Sequence, residues 1–345
     1  MELYRSDPFA DGRWDELVAR HPDASVFHTR GWLEALVRTY GYTPFVLTSA
    51  PTGNTLNDGV VFCRIASWLT GTRAVSLPFA DHCEPLLENG ADVFEFTHYL
   101  REECDRKKWN YAELRPLTLS APPNSGFQNK QSYCFHTLDL SPSLEKIFES
   151  LHKDSMQRRI RHAEKEGLTY EAGSSELLDD FYKLLLITRR RHGLIPQPRA
   201  WFQNLMECMR DGSRIRLVRK NRKPVAAILT LRHKSTLVYK YGCSDHRFHS
   251  YAGMPLLFWK LIEEGKATGA GSVDFGRSDP DGKGLIAFKD RLAGDKRSLS
   301  YWRYSRTHKP EVTSGAGARV LSRVFCQSPD AVLAAAGNVF YRHLG

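Results

Sequence analysis

The sequence predicts a chain of α/β (α+β) class in two domains, each built on a mixed, largely antiparallel sheet flanked by helices. Three observations lead there. The 345 residues exceed what one hydrophobic core usually organises, about 250 to 300 residues. One order of strands and helices occurs twice along the chain. Charge is also divided unequally: residues 1–150 hold 14 Lys and Arg against 20 Asp and Glu, whereas residues 151–345 hold 35 against 19, so the halves carry −6 and +16. The hydrophobic share of 41% argues for packed cores rather than disorder.

In the first half, "TRGWLEALVRTYG" sets Trp32, Leu33, Leu36, Val37 and Tyr40 on one helical face, with Gly41 as a stop. Strand-like runs follow at "PFVLTS", "GVVFCRIAS" and "RAVSLPF", then a helix over roughly residues 93–108 and a strand at "NYAELRP". The second half repeats this order. After two or three helices come "SRIRLVRK", "PVAAILTLRH" and "STLVYKYGCS", a helix over about 253–268, and "SVDFG" as the returning strand. The stretch "LTLSAPPNSGFQNKQS", rich in Pro, Ser, Asn and Gly, reads as the connection. The expected boundaries are 1–116 for the first domain, 117–132 for the linker, 133–308 for the second domain and 309–345 for an amphipathic tail.

No run of about 18 apolar residues exists, and "MELYRSDPFADGRW" lacks an apolar signal region, so a cytoplasmic protein is expected. The seven cysteines are scattered, without a C-x-x-C pair, which fits reduced thiols and no metal. Cys243, in "YKYGCSD", is the thiol best placed for chemistry. The basic second half is the anion-facing one, suited to nucleotide diphosphates, nucleic acid or an anionic bilayer. Aromatic interleaving for RNA stacking is poor, because "SRIRLVRKNRKP" contains no aromatic residue.

Three stretches carry a family resemblance: "YKYGCSD", the helix leading to "GAGSVDFGRSD", and "GLIAFKDRLAG". In this order and spacing the chain resembles the FemAB-like peptidyl and aminoacyl transferases and the related BioF2-like (CelD-like) acetyltransferase domains, over residues ~25 to ~305. The resemblance implies two tandem GNAT-like domains. It also makes "AVSLPFADHCEPLL" and the end of "LITRRRHGLIPQP" landmarks of an acceptor groove between the domains, which nominates Asp81, His82, Arg191 and Tyr241 as substrate-binding residues. The long helical arm of staphylococcal-type members is absent, since no 50-residue heptad pattern occurs.

In a GNAT-type core the fourth and fifth strands splay, and backbone N–H groups in the gap can bind the acyl carbonyl and its oxyanion. Here that pair is "TLVYKYGCS" and "SVDFG", and "RFHSYAGM" opens the following helix, where a donor pyrophosphate meets the helix N-terminus. Arg247, Ser250 and Gly253 are the donor-binding candidates; Ser250 reads equally as a residue near an ordinary N-cap. Asp274 at a strand end could take the proton of an attacking amine, or pair with Arg277, or cap a turn. Lys289 is expected on an exposed short element anchored by Leu285, Ile286 and Phe288, holding donor phosphate or offsetting transition-state charge as the matching lysine of the Fem-type enzymes is thought to do. Alternation around Lys240 places Tyr239 and Tyr241 on one strand face.

Two basic helices, "SMQRRIRHAEKEG" and "FYKLLLITRRRHG", suit an acceptor that bears phosphate, whether a small molecule or lipid-linked. The apolar tail could pack on the second domain or lie on the inner membrane surface. The favoured reading is an N-acyltransferase that uses acyl-CoA or aminoacyl-tRNA as co-substrate, with no tightly bound cofactor, acting on an amine of a cell-envelope, peptidoglycan or polysaccharide precursor. An inactive GNAT-fold protein that binds RNA or an anionic membrane is the alternative.

Overall fold

The computed structural model describes residues 2–87, 93–292, 294–306 and 316–345, with backbone alone for 316–321. The chain forms two compact units: Met1–Tyr133, Ser298–Glu311 and Arg342–Gly345 make the first, and Cys134–Arg297 and Val312–Tyr341 the second. In chain order the first contains β1 (Tyr4–Ser6), α1 (Arg13–Arg20), α2 (Arg30–Tyr40), β2 (Thr43–Thr48), β3 (Asp58–Ser67), β4 (Gly71–Val75), β5 (Leu86–Leu87), α3 (Val93–Arg106) and β6 (Tyr111–Leu114). Helix α2 begins where the Thr29 side chain caps the Trp32 N–H and ends at Gly41, whose φ of 68° provides the left-handed stop.

The chain then runs through β7 (Gln128–Asp139), α4 (Leu144–Ser150), α5 (Arg158–Lys165), β8 (Thr169–Gly173), α6 (Leu178–Arg191), α7 (Arg199–Met209), β9 (Ser213–Lys220), β10 (Lys223–His233) and β11 (Thr236–Ser244). It continues through α8 (Gly253–Ala267), β12 (Ser272–Ser278), α9 (Lys283–Asp290), β13 (Asp295–Ser305), α10 (Ala316–Gln327) and α11 (Asp330–Phe340).

The two units share one strand plan. In the first, β1, β2, β3 and β4 form an antiparallel meander, β4 pairs parallel with β6, and β13 closes the sheet antiparallel to β6. In the second, β8, β9, β10 and β11 meander, β11 pairs parallel with β12, and β7 closes the sheet antiparallel to β12. These are GNAT-like sheets, as the resemblance implies. The closing strands were not anticipated: residues 128–132 of β7 fall in the polar stretch read as a linker, and neither "QNKQS" nor "DKRS" carries an apolar alternation.

In the second unit, Leu256, Leu257, Leu261 and Ile262 of α8 pack with Ile228, Val273, Phe275 and Leu138 of the sheet. Burial of this kind contributes roughly 25 cal/mol per Å² of apolar surface. The α10 and α11 segments, part of the expected tail, rest on α6: the Arg190 guanidinium donates to the Ser328 carbonyl at 3.0 Å and pairs with Asp330, and Leu333 is fully buried.

Candidate active site in the second unit

Strands β11 and β12 stay paired for only three positions, Thr236 with Ser272, Leu237 with Val273 and Val238 with Asp274. Beyond them they part, and the β12 pairing with β7 shifts register between Asp274 and Arg277. The shift is a bulge in which Phe275 and Gly276 oppose the single residue His136, and Gly276 adopts a φ of 69° that favours glycine. The Asp274 carboxylate accepts the Gly276 N–H at 2.6 Å, so it caps this turn.

Strand β11 bulges too, because its register against β10 passes from Tyr241 to Tyr239 across Leu229 and Thr230, leaving Lys240 as the extra residue. This corrects the expectation that both tyrosines share a face. Tyr239 meets Phe258 of α8 at a ring distance of 4.8 Å, whereas Tyr241 meets Phe202 of α7 at 5.1 Å and accepts the Trp201 N–H at 2.9 Å. One inserted residue moves each later side chain to the other side.

Lys289 also departs from expectation. It is buried, at 1% exposure, on the last turn of α9, and its ammonium donates to the carbonyls of Gly276 and Arg277 at 3.0 and 3.1 Å. The lysine thus gathers the carbonyls of the bulge glycine and of the residue that follows it. "FKDRLAG" owes its glycine to close passage: a Cβ on Gly294 would lie 2.3 Å from the Thr137 carbonyl oxygen of β7. Next to Lys289, Asp290 accepts or shares a proton with His136 Nε2 at 2.9 Å and pairs with Lys296 at 3.2 Å.

The donor-side candidates divide. Asp245 accepts the Arg247 N–H and holds its guanidinium, and that hydrogen bond keeps the Asp245 carboxyl below its ordinary range. Arg247 is thereby neutralised. Gly253 opens α8 where a Cβ would lie 3.0 Å from Val218 and 3.2 Å from Ala226, so its role is close packing of helix on sheet. Ser250 lies in the 3-10 turn His246–Tyr251 that leads into α8, whose first residues receive no side-chain cap.

Around that turn stands a basic cluster that the sequence reading only partly reached. Arg159 of α5 donates to the His249 carbonyl, and Arg191 at the end of α6 lies 3.4 Å from His249 Nε2 and 3.1 Å from His192 Nε2. Ser244 Oγ is 3.0 Å from His249 Nε2, and Thr188 binds both backbone groups of Ser244, at 2.9 and 3.1 Å. Burial lowers the pKa of His249, with Arg191, His246 and Arg159 adding to it; burial, then Arg191 and Arg189, does the same for His192. Among the described residues neither Arg159 nor Arg191 has a carboxylate partner. Two guanidiniums therefore stand at a histidine whose pKa is lowered, while Asp245, the acid that acts on that imidazole, is engaged by Arg247. Arg159 and His249 were missed because their runs, "QRRIR" and "RFHSYAG", read as helix surface and phosphate loop without saying which side chains converge.

The remaining candidates lie elsewhere. Asp81 and His82 belong to the first unit, both buried in the loop after β4; the Tyr301 hydroxyl donates to the Asp81 carbonyl at 2.7 Å, and His82 stands edge-on to Phe27. The Cys243 thiol is fully buried, which pushes its pKa up and removes it as a nucleophile.

Comparison with known proteins agrees with this fold. Residues 150–289 match the acetyltransferase (GNAT) domain family. FemX aligns with a TM-score of 0.64 at 14% identity, over 88% of this chain and 97% of its own. A tandem GNAT protein from the clavulanic acid biosynthesis pathway aligns at 0.56 and 12%, over 90% and 100%, and L-PGS from Bacillus licheniformis at 0.52 and 14%, over 87% and 98%. No curated protein matches. The chain therefore has the tandem GNAT fold that FemX shares, and the FemAB-like resemblance holds at the level of the fold. Among the described residues no helix is long and apolar enough to cross a membrane.

Proposed function

We propose that the chain is an N-acyltransferase whose second unit binds an acyl donor through phosphate and transfers the acyl group to a primary amine. The observation that carries this reading is the pair of guanidiniums, Arg159 and Arg191, that meet His249 in the turn before α8 with no carboxylate partner of their own among the described residues. A diphosphate in the cluster would offset its like charges. The acyl chain would then enter the gap, where backbone N–H groups meet the carbonyl as charge develops on its oxygen. Lys289 stabilises that charge through the bulge it holds, and Asp274 keeps the turn of Gly276 in place.

The donor is acyl-CoA, whose pantetheine arm separates its diphosphate from the thioester, or an aminoacyl-tRNA, whose phosphodiesters adjoin the nucleoside that carries the ester. The FemAB-like resemblance favours an amine in a cell-envelope, peptidoglycan or polysaccharide precursor as acceptor, and the similar fold from the clavulanic acid biosynthesis pathway favours an amine of a small metabolite. A phosphate-bearing or lipid-linked acceptor fits the +16 balance of residues 151–345. Within the second unit Tyr241 remains an acceptor-side candidate in this proposal, with Arg191 moved to the donor side.

The test crosses acetyl-CoA and alanyl-tRNA with an amino-sugar nucleotide, a peptidoglycan precursor and its lipid-linked form, following acyl transfer. Transfer in at least one pair is expected, with donor affinity about tenfold weaker in Arg191→Ala, the loss of one charge-assisted hydrogen bond. No transfer in any pair, with no donor binding, overturns the reading.

A further inference from the structure

His136 is a residue to which no role has yet been given. It lies on β7 between Phe135, opposite Arg277, and Thr137, opposite Asp274, so it faces the two-residue bulge at which β12 leaves β11. Its side chain is completely buried. Nε2 is held 2.9 Å from the Asp290 carboxylate, while Nδ1 is enclosed without a hydrogen-bond partner among the described residues. A buried imidazole nitrogen is costly to leave unsatisfied, and a water or a group of the bound substrate can supply its partner.

The pair has the logic of an activated base. A carboxylate on Nε2 keeps the hydrogen there and leaves the Nδ1 lone pair as acceptor, because a carboxylate only accepts. Burial lowers the His136 pKa; the hydrogen bond to Asp290 opposes this, and Lys289 and Lys296 reinforce it. The ring is therefore neutral at pH 7, the form a base must have. Asp290 and Lys289 are neighbours on α9, so one helix end sets both the bulge and the imidazole.

We propose that His136, oriented by Asp290, accepts the proton of the attacking amine. This rests on the acyltransferase reading above. The amine nitrogen attacks the acyl carbon and the C–N bond forms. The proton it loses passes to Nδ1, directly or through one water. As the C–S bond of a thioester or the C–O bond of an ester breaks, His136 returns that proton to the departing sulfur or oxygen, so the imidazole ends as it began.

His136→Gln is the test, since its amide N–H can still reach Asp290 while the basic nitrogen is gone. With the most active donor and acceptor of the panel, kcat/KM falls about 10²- to 10⁴-fold. Acetyl-CoA binding by calorimetry and the melting curve stay close to wild type. The wild-type rate falls with acid below the ordinary histidine value, and the variant lacks that limb. Nitrogen NMR of the imidazole reads the tautomer without turnover: hydrogen on Nε2 at pH 7 is expected, and hydrogen on Nδ1 overturns the proposal. Full turnover in His136→Gln, or a loss that donor binding explains, also overturns it while sparing the acyltransferase reading. Wild-type protein inactive with every pair removes both.

Discussion

The two units place an acid at the same register, and what surrounds it differs. Glu113 of β6 is the third parallel partner, opposite Val75, as Asp274 of β12 is the third, opposite Val238. In the first unit the space past that point is filled. The Ser76 N–H donates to the Glu113 carbonyl at 2.8 Å, the Arg115 N–H to Ser76 Oγ at 2.7 Å, and the Arg115 guanidinium to the Leu77 carbonyl at 2.9 Å. Burial pushes the Glu113 carboxyl up, and Arg115 and Arg303 more than reverse it, so it stays ionised and neutralised. Leu77 and Phe79, at φ of 68° and 61°, turn the chain across the gap. In the second unit the acid caps a glycine turn, a buried lysine gathers two carbonyls of that turn, and Arg159 and Arg191 stand before the next helix with no carboxylate partner among the described residues. The same topology thus yields a sealed, charge-balanced module and one with uncompensated positive charge. Function follows from side chains set on the fold, not from the fold.

That contrast can be broken from either side. Glu113→Ala, which strands Arg115 and Arg303, should cost about 3 kcal/mol in denaturant unfolding, the low end for a broken buried pair because both arginines keep some solvent contact. Turnover per folded molecule should not change. Loss of turnover at full stability would give the first unit a catalytic part.

Lys289→Ala should lower turnover about 100-fold. It should also reduce stability by about 1 to 3 kcal/mol, since two buried carbonyls lose their donor. Wild-type turnover in the variant removes the charge-stabilising role. Arg159→Ala is expected to weaken acetyl-CoA binding roughly tenfold and to flatten its dependence on salt. An unaltered salt dependence would place the donor phosphates elsewhere.

The smallest effect concerns pH. His136, His192, His249 and His233, the last pushed down to about 4, all have lowered pKa values in the second unit, with burial the main cause. A histidine with a depressed folded pKa leaves stability intact above its unfolded value near 6.5 and loses it as pH falls towards the folded value. Hydrogen exchange between pH 7 and 5 should show β10 and β11 losing protection before β2 and β3. The reverse order would contradict the contrast.

The repeated plan was legible in the residues alone. Thr29 and Gly41 bracket a helix of clear apolar period, "PVAAILTLRH" and "STLVYKYGCS" are continuous apolar strands, and "SVDFG" ends in a glycine, all signals carried within a few residues. The exposure of Lys289, the shared face of the two tyrosines and the reach of Arg247 were decided otherwise. A bulge at Lys240 inverts every later side chain of β11, yet nothing in "VYKYG" marks it, since register belongs to the pair of strands rather than to either one. Asp245 captures Arg247 two residues away, while Arg159, Arg191 and His249 converge from three separate elements. His136 gains its meaning only from Asp290, 154 positions along the chain. Local propensity is written in neighbouring residues, but charge balance and burial are sums over groups that only the tertiary structure brings within a few ångströms.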